Sequence, residues 1–201
     1  MTGGWTVVLW AGAVAVAFVV GSVNPATIIA RVLGKDVRAS GSGNPGATNA
    51  GRVLGRKWGV VVGVLDVLKG LVPVLVAGHL WGAHLAYVVG VAAVLGHVYS
   101  PFLHGRGGKG VATTLGAILG VHPWVALVVL VVFVVAFVLT RWVSAGSICA
   151  SVGLLVAAGV VAVGGAPGDA WTVAWLVVLG LLVLWRHRSN LVGWWRQRHL
   201  G

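Results

Sequence analysis

The sequence predicts an all-α integral membrane protein with seven transmembrane helices, and composition, hydropathy and charge placement each support this fold class. Of its 201 residues, 59% are hydrophobic and only 8% are charged, a balance that ordinary soluble domains do not show. Apolar stretches of about 20 residues, long enough to span a bilayer core, fill most of the chain. We therefore expect a single membrane domain over residues 1–201, with no separate soluble domain.

Charge placement sets the orientation of the spans. All of the 14 lysines and arginines except Lys69 lie in four short stretches between apolar runs, and basic loops stay on the cytoplasmic side of a membrane. The stretches near Arg106 and Arg141 should both be cytoplasmic, so two crossings must separate them and the short segment 110–121 must be one of these. The N-terminus is then outside and the C-terminus cytoplasmic. The seven predicted spans are 5–30, 58–78, 84–101, 110–121, 123–139, 146–164 and 170–186.

The net charge of +11 points to anionic partners. Because the cations flank apolar runs and form no soluble basic face, we expect anionic lipid headgroups and phosphate-bearing ligands, and no nucleic acid. The single Cys149 cannot form an internal disulfide, and one cysteine without clustered histidines does not make a zinc site. The sequence therefore predicts no metal ion and no cofactor.

Two glycine-rich loops are predicted on the cytoplasmic side. The first, residues 39–52, is dense in Gly, Ser, Asn and Thr and ends at Arg52, whereas the second, residues 96–110, ends in Gly-Arg-Gly-Gly-Lys-Gly and contains Lys109. Glycine lets backbone N–H groups converge on an anion, and a helix that starts just after the loop adds its positive end. Because Arg and Lys side chains bind phosphate well, the loops predict phosphate sites, with tight interhelical turns as the alternative.

Three further polar groups interrupt the apolar pattern. The third loop, residues 141–147, is predicted to lie on the cytoplasmic side. It is either a further polar part of the site or a simple turn. His187 and Asn190 follow the last span, and their spacing places them on one face if that helix continues; the alternative is a basic helix end at the membrane surface. Asp66 and Lys69 lie within a span, where an i,i+3 ion pair either locks helix packing or supports the phosphate site.

These motifs resemble those of the bacterial acyl-phosphate:glycerol-3-phosphate acyltransferases, the PlsY family, over nearly the whole chain. Residues 41–52 and 65–70 carry the strongest likeness, residues 96–113 carry the second, and residues 141–147 and 187–190 complete the pattern. The resemblance implies a seven-span enzyme of the bacterial cell membrane with a cytoplasmic active site. It also implies transfer of a fatty acyl group from acyl phosphate to the sn-1 hydroxyl of glycerol 3-phosphate, giving lysophosphatidic acid and phosphate for phospholipid synthesis.

The resemblance also assigns site residues. The residues that it implies contact the substrates are Ser42, Arg52, Lys109, His187 and Asn190. Those that it implies bind substrate or shape the phosphate pockets are Asn44, Thr48, Asn49, Ser144, Gly107, Gly108 and Gly110. In this scheme Arg52 and the third loop anchor glycerol 3-phosphate, whereas Lys109 and the glycine amides bind the acyl-linked phosphate.

The attacking hydroxyl must lose its proton to a base, and the residues leave two choices. Histidine is the side chain that best suits proton transfer near neutral pH, which favours His187, but a substrate phosphate oxygen can also accept the proton. The chain departs from the resembled family at Ser189, where the family usually has Glu.

Two other functions stay open at this level. One is a repurposed relative that uses another acceptor, and the other is an anion or phosphate carrier. A carrier needs polar groups near the midplane on several helices, whereas here polar residues crowd the predicted inner face. The partners expected for the enzyme are acyl phosphate, glycerol 3-phosphate, the lipid bilayer and an upstream soluble enzyme that supplies acyl phosphate.

Overall fold

The computed structural model describes residues 3–199, in which the regular elements are all helices. The described residues form two compact units, an N-terminal unit that ends at Pro123 and a C-terminal unit that begins at Trp124. The helices are α1 (Gly3–Ser22), α2 (Pro25–Val32), α3 (Ala47–Val53), α4 (Arg56–Trp81), α5 (Ala83–Val98), α6 (Val111–Val121), α7 (Pro123–Thr140), α8 (Val143–Ala162), α9 (Ala170–Arg186) and α10 (Arg188–His199), with a 3₁₀ turn at Pro101–Leu103.

Helix lengths confirm a multi-pass membrane protein but not the predicted count of seven spans. Within the described residues, α1, α4, α5, α7 and α8 are long and apolar enough to cross a membrane, and α9 with α10 makes a sixth if that bent pair is one span. The predicted span 110–121 forms only the 11 residues of α6. Such a helix is about 16 Å long, roughly half of the bilayer core.

The first predicted span, 5–30, is broken after Ser22. Asn24 caps α2 by accepting a hydrogen bond from the Thr27 N–H at 2.9 Å, and Pro25 starts the new helix. Proline suits the first helical position because its missing N–H would have no helical partner there. The Asn24 amide also donates to the Pro45 carbonyl at 2.9 Å, so the break attaches to the first glycine-rich loop.

Glycines set the helix packing of the N-terminal unit. A Cβ at Gly96 would collide with the backbone of α1, and a Cβ at Gly70 or Gly116 would collide with the backbone of the facing helix, so α1–α5 and α4–α6 approach closely. Small residues allow such close helix contacts in membranes. The connection between the predicted spans 58–78 and 84–101 is also shorter than expected, because only Gly82, with a φ of 86°, separates α4 from α5.

The C-terminal unit packs α8 against α9 and ends in a bent helix pair. A Cβ at Gly180 would lie 2.9 Å from the Leu155 side chain, so α9 sits tightly against α8. Asp169 and Thr172 form a capping box at the start of α9, which satisfies N–H groups that have no helical partner. The helix does not continue through His187: α9 ends at Arg186, and α10 starts at Arg188, after this single intervening residue, at an angle of 43°.

Candidate active site

Asn49 organises the first glycine-rich loop. Its side-chain amide donates to the carbonyls of Val37, at 2.7 Å, and Ser40, at 3.1 Å, and its Oδ1 accepts from the Ser42 N–H at 2.8 Å. Only 1% of Asn49 is exposed. A Cβ at Gly41 would collide with this amide, and Gly41 also has a φ of 64°. Asn49, predicted to shape a phosphate pocket, therefore acts by holding the loop backbone.

The remaining site residues of this loop point outward or lie at its edge. Ser42, Thr48 and Arg52 are exposed, and Asn44 is half-buried. Thr48 and Arg52 lie four residues apart on α3 and so share one helix face. The loop thus buries the Asn49 amide that holds it. The hydroxyls of Ser42 and Thr48 and the guanidinium of Arg52 stay accessible.

The second glycine-rich loop folds back onto the end of α5. The Gly107 N–H donates to the Val98 carbonyl at 3.0 Å, and the Gly108 N–H donates to the His97 carbonyl at 3.1 Å. A Cβ at Gly107 would collide with the His97 carbonyl, and one at Gly108 would collide with the His97 ring. These two amides, expected from the sequence to bind phosphate, are used within the fold; their glycines are required by the close approach.

Lys109 follows directly and leads into α6. It is half-buried, and the next residue, Gly110, is the N-cap of α6 with a φ of 83°. The N–H groups of a first helical turn have no helical partner and give that end a partial positive charge. The hydroxyls of Thr113 and Thr114 in this turn are buried and have no hydrogen-bond partner among residues 3–199. Lys109 thus adjoins a helix terminus and two buried threonine hydroxyls, which are groups of the kind that bind anions.

A buried charge cluster lies beside this loop. Lys69 Nζ is 3.0 Å from Asp66 Oδ1 and donates to the Val23 carbonyl at 2.8 Å, and His97 Nδ1 is 3.4 Å from the same carboxylate oxygen. The exposed fractions are 2% for Asp66, 8% for Lys69 and 4% for His97. The ion pair predicted from the spacing of Asp66 and Lys69 is thus confirmed, and a histidine from α5 lies beside it.

His187 joins α9 to α10 in the C-terminal unit. Its Nδ1 lies 2.8 Å from the Val183 carbonyl, and only 1% of the residue is exposed. A carbonyl oxygen only accepts hydrogen bonds, so Nδ1 must carry a proton. In the neutral imidazole the unprotonated nitrogen is then Nε2. The contact with Val183 therefore fixes the orientation of the His187 ring and assigns the proton of the neutral form to Nδ1.

Asn190 and Ser144, two residues implicated by sequence, contact each other. The Asn190 side-chain amide donates to Ser144 Oγ at 2.9 Å, and Ser144 is buried in the first turn of α8. The hydrogen bond joins the third loop to α10, although the two residues are far apart in the chain. An open pocket of about 360 Å³ adjoins this pair and is lined by Trp142, Ser189, Asn190, Gly193 and Trp194.

Sequence reasoning missed the supporting residues Asn24 and His97. Both sit where an apolar helix ends, and each reaches a glycine-rich loop: Asn24 through the Pro45 carbonyl, and His97 through its own carbonyl and ring. The signal available in the sequence was a polar residue at the end of an apolar run, directly before a loop. Periodicity does not show which loop such a residue supports, because the contact with Pro45 spans 21 residues.

Comparison with known proteins points to one family. The model of the family described as glycerol-3-phosphate acyltransferase matches residues 11–197. A glycerol-3-phosphate acyltransferase of Geobacter sulfurreducens is 46% identical over 178 residues, which are 88% of this chain and 89% of the relative. One of Thermus thermophilus is 43% identical over 191 residues, which are 93% of this chain and 88% of the relative.

A solved structure has the same fold. The crystal structure of PlsY, an integral membrane glycerol 3-phosphate acyltransferase, in its glycerol 3-phosphate form superposes with a TM-score of 0.86 at 39% identity. The match covers 94% of this chain and 93% of that one. The helical fold and the sequence motifs therefore agree with the same group of proteins.

Proposed function

Since the chain belongs to the glycerol-3-phosphate acyltransferase family and is thus a membrane enzyme that acylates glycerol 3-phosphate, we propose that its acyl donor is an acyl phosphate. The products are then lysophosphatidic acid, acylated at the sn-1 position, and inorganic phosphate. The observation that carries this proposal is the build of the second glycine-rich loop, which is folded tightly onto α5 and presents Lys109 at the start of α6.

The start of α6 suits the phosphate of the donor. Lys109 supplies a compact positive charge, and the first-turn N–H groups of the helix add to it. Thr114 Oγ1, close to Gly110 and without a partner among the described residues, is a further donor that we assign to this phosphate. Gly107 and Gly108 act by letting the loop lie against α5, which keeps Lys109 in place.

Arg52 suits the phosphate of the acceptor, since a guanidinium binds phosphate through two parallel hydrogen bonds. Ser42 and Thr48, exposed in the same loop or on the same helix face, add hydroxyl donors, with Asn44 at the edge. Asn190 and Ser144 then hold the glycerol portion. Two substrate phosphates repel each other, so separate cationic groups are needed to bind both at once.

The reaction is a direct acyl transfer. The sn-1 oxygen of glycerol 3-phosphate bonds to the acyl carbon, the bond from that carbon to the phosphate oxygen breaks, and the phosphate leaves with the bonding electrons. The hydroxyl proton passes to His187 Nε2, because Nδ1 is held by the Val183 carbonyl. An acyl phosphate is already activated, so positioning and charge stabilisation supply most of the rate and no covalent enzyme intermediate is required.

The proposed setting is the cytoplasmic side of the bacterial cell membrane. The basic stretches around Arg52, Lys109, Arg141 and Arg188 share this side if the chain crosses seven times, with the N-terminus outside. This requires α6, short as it is, to return the chain across the membrane. An upstream soluble enzyme that makes acyl phosphate then delivers it to the same side.

A donor assay tests the proposal. Purified protein in lipid vesicles receives labelled glycerol 3-phosphate with either palmitoyl phosphate or palmitoyl-CoA, and labelled lysophosphatidic acid is measured. We expect product from palmitoyl phosphate only. Product from palmitoyl-CoA alone contradicts the proposed donor.

A second assay tests the proposed sidedness. Because glycerol 3-phosphate is charged and stays outside sealed vesicles, inside-out bacterial membrane vesicles should make product while right-side-out vesicles should not. The reverse result contradicts the proposed sidedness.

A further inference from the structure

The charge cluster of Asp66, Lys69 and His97 contacts the second glycine-rich loop directly and is linked to the first through the break between α1 and α2. On one side, Lys69 Nζ binds the Val23 carbonyl at 2.8 Å, and the adjoining Asn24 amide binds the Pro45 carbonyl of the first loop at 2.9 Å. These two bonds run through consecutive residues at the break between α1 and α2. The cluster is thus linked to the backbone that precedes α3 and Arg52.

On the other side, the cluster supports the second loop through His97. The His97 carbonyl accepts the Gly108 N–H at 3.1 Å, and the His97 ring lies so close to Gly108 that a Cβ there would collide with it. The residue after Gly108 is Lys109. The Ser100 hydroxyl adds a parallel link, because it donates to the Ser22 carbonyl at 2.7 Å next to the same helix break.

We propose that the cluster of Asp66, Lys69 and His97 is a positioning device that fixes the separation of the two glycine-rich loops. Lys69 Nζ and His97 Nδ1 approach the same Asp66 oxygen, at 3.0 Å and 3.4 Å, so each arm of the link depends on one carboxylate. A buried charge that loses its partner is left without solvation, which costs a large free energy. The geometry of buried charges is therefore more specific than that of apolar contacts. The kinetic consequence rests on the proposed function, since a fixed loop separation sets the spacing of Lys109 and Arg52.

A distance measurement tests the device without relying on activity. Spin labels at Ala39→Cys and Arg106→Cys, one in each loop, in a Cys149→Ser background report the loop separation by pulsed electron paramagnetic resonance in lipid. We expect Asp66→Asn, Lys69→Met and His97→Leu each to broaden or shift the distance distribution. Distributions that match the unsubstituted cluster overturn the proposal, whatever the activity of the variants.

Tyr87→Phe is the matched control. Tyr87 is buried and lies in α5 like His97, but ten residues away, which is about 15 Å along the helix. The substitution removes its hydrogen bond to His122, 2.9 Å away. We expect this control to keep the loop distances of the parent protein even if its melting temperature falls as far as that of the cluster variants.

Kinetics then separate positioning from simple loss of stability. A small misplacement of bound substrates can lower the rate about 100-fold, so we expect kcat/KM to fall about 100-fold in the cluster variants, with raised KM values for the substrates. A variant with parental distances and parental KM values, and only lower kcat and melting temperature, is merely destabilised, and that result overturns the proposal. If the cluster variants show altered loop distances but the parent protein transfers no acyl group, the positioning role of the cluster is supported and the proposed function is contradicted.

Discussion

Replacing Lys109 by alanine is expected to lower kcat/KM for acyl phosphate by about 1,000-fold, the loss seen when a key charge-stabilising donor is removed from an active site. The ammonium group precedes α6 and, in the proposed mechanism, balances negative charge as the phosphate leaves. The first-turn N–H groups of α6 and the Thr114 hydroxyl remain in the variant, so some donor binding should survive. Initial rates with palmitoyl phosphate and labelled glycerol 3-phosphate measure the effect.

Lys57→Ala is the matched control for this substitution. Lys57 is exposed in the first turn of α4, where its Nζ lies 5.8 Å from the centre of the Trp58 ring. It lies in the same unit as Lys109 but is not assigned to a substrate, so its loss should change kcat/KM by less than about twofold, as surface substitutions usually do little. Equal activity losses in the two variants would contradict a specific role for Lys109 and indicate a general effect of positive charge.

Replacing His187 by glutamine is expected to lower kcat by about 100-fold or more while changing the KM values little, because a positioned general base contributes about that much to the chemical step. Glutamine has similar polarity and can still donate to the Val183 carbonyl, so the bend between α9 and α10 should persist. What it lacks is a nitrogen that takes up a proton near neutral pH.

His79→Gln serves as the control, since His79 lies in the last turn of α4 and carries no proposed role. The contrast in kcat between the two variants, measured at saturating concentrations of both substrates, isolates the base. If His187→Gln keeps the parental kcat, then a substrate phosphate oxygen takes the proton and His187 only joins the two helices.

Hydropathy and charge predicted the helices well but not where they break. The long apolar runs became α4, α5, α7 and α8 within a few residues of the predicted limits. The segment 5–30 reads as one apolar run, yet Asn24 forms a cap and Pro25 starts a new helix, because a tertiary partner, the Pro45 carbonyl, is available for the Asn24 amide. A local pattern does not contain that distant partner.

In the candidate site, too, the sequence predicted some features and not others. Glycine patterns and cations located both loops and predicted which residues line them, and the pairing of Asp66 with Lys69 followed from helix geometry. The sequence did not show that the Asn49 side chain bonds the backbone of its own loop and of Val37 just before it, or that the Gly107 and Gly108 amides face carbonyls of α5. Those facts depend on how a loop folds back, which is decided by packing and not by residue type.

The hydrogen bond between Asn190 and Ser144 shows the same limit. Each residue belonged to a motif, and each was predicted to bind substrate, but their contact crosses 46 positions of the chain. The expected face shared by His187 and Asn190 was replaced by a bend, since α9 ends at Arg186. Motif membership therefore predicted both as site residues, and only the fold showed which contacts hold them.

Phosphate release measured on the millisecond scale shows whether the acyl group passes directly from acyl phosphate to glycerol 3-phosphate. The parent protein is mixed rapidly with palmitoyl phosphate labelled in its phosphate group, with and without glycerol 3-phosphate, and compared with an enzyme-free blank. Direct transfer predicts one phosphate released per lysophosphatidic acid formed, and no phosphate release above the blank when glycerol 3-phosphate is absent. A burst of phosphate equal to the amount of enzyme in the absence of glycerol 3-phosphate would reveal an acyl-enzyme intermediate and contradict direct transfer.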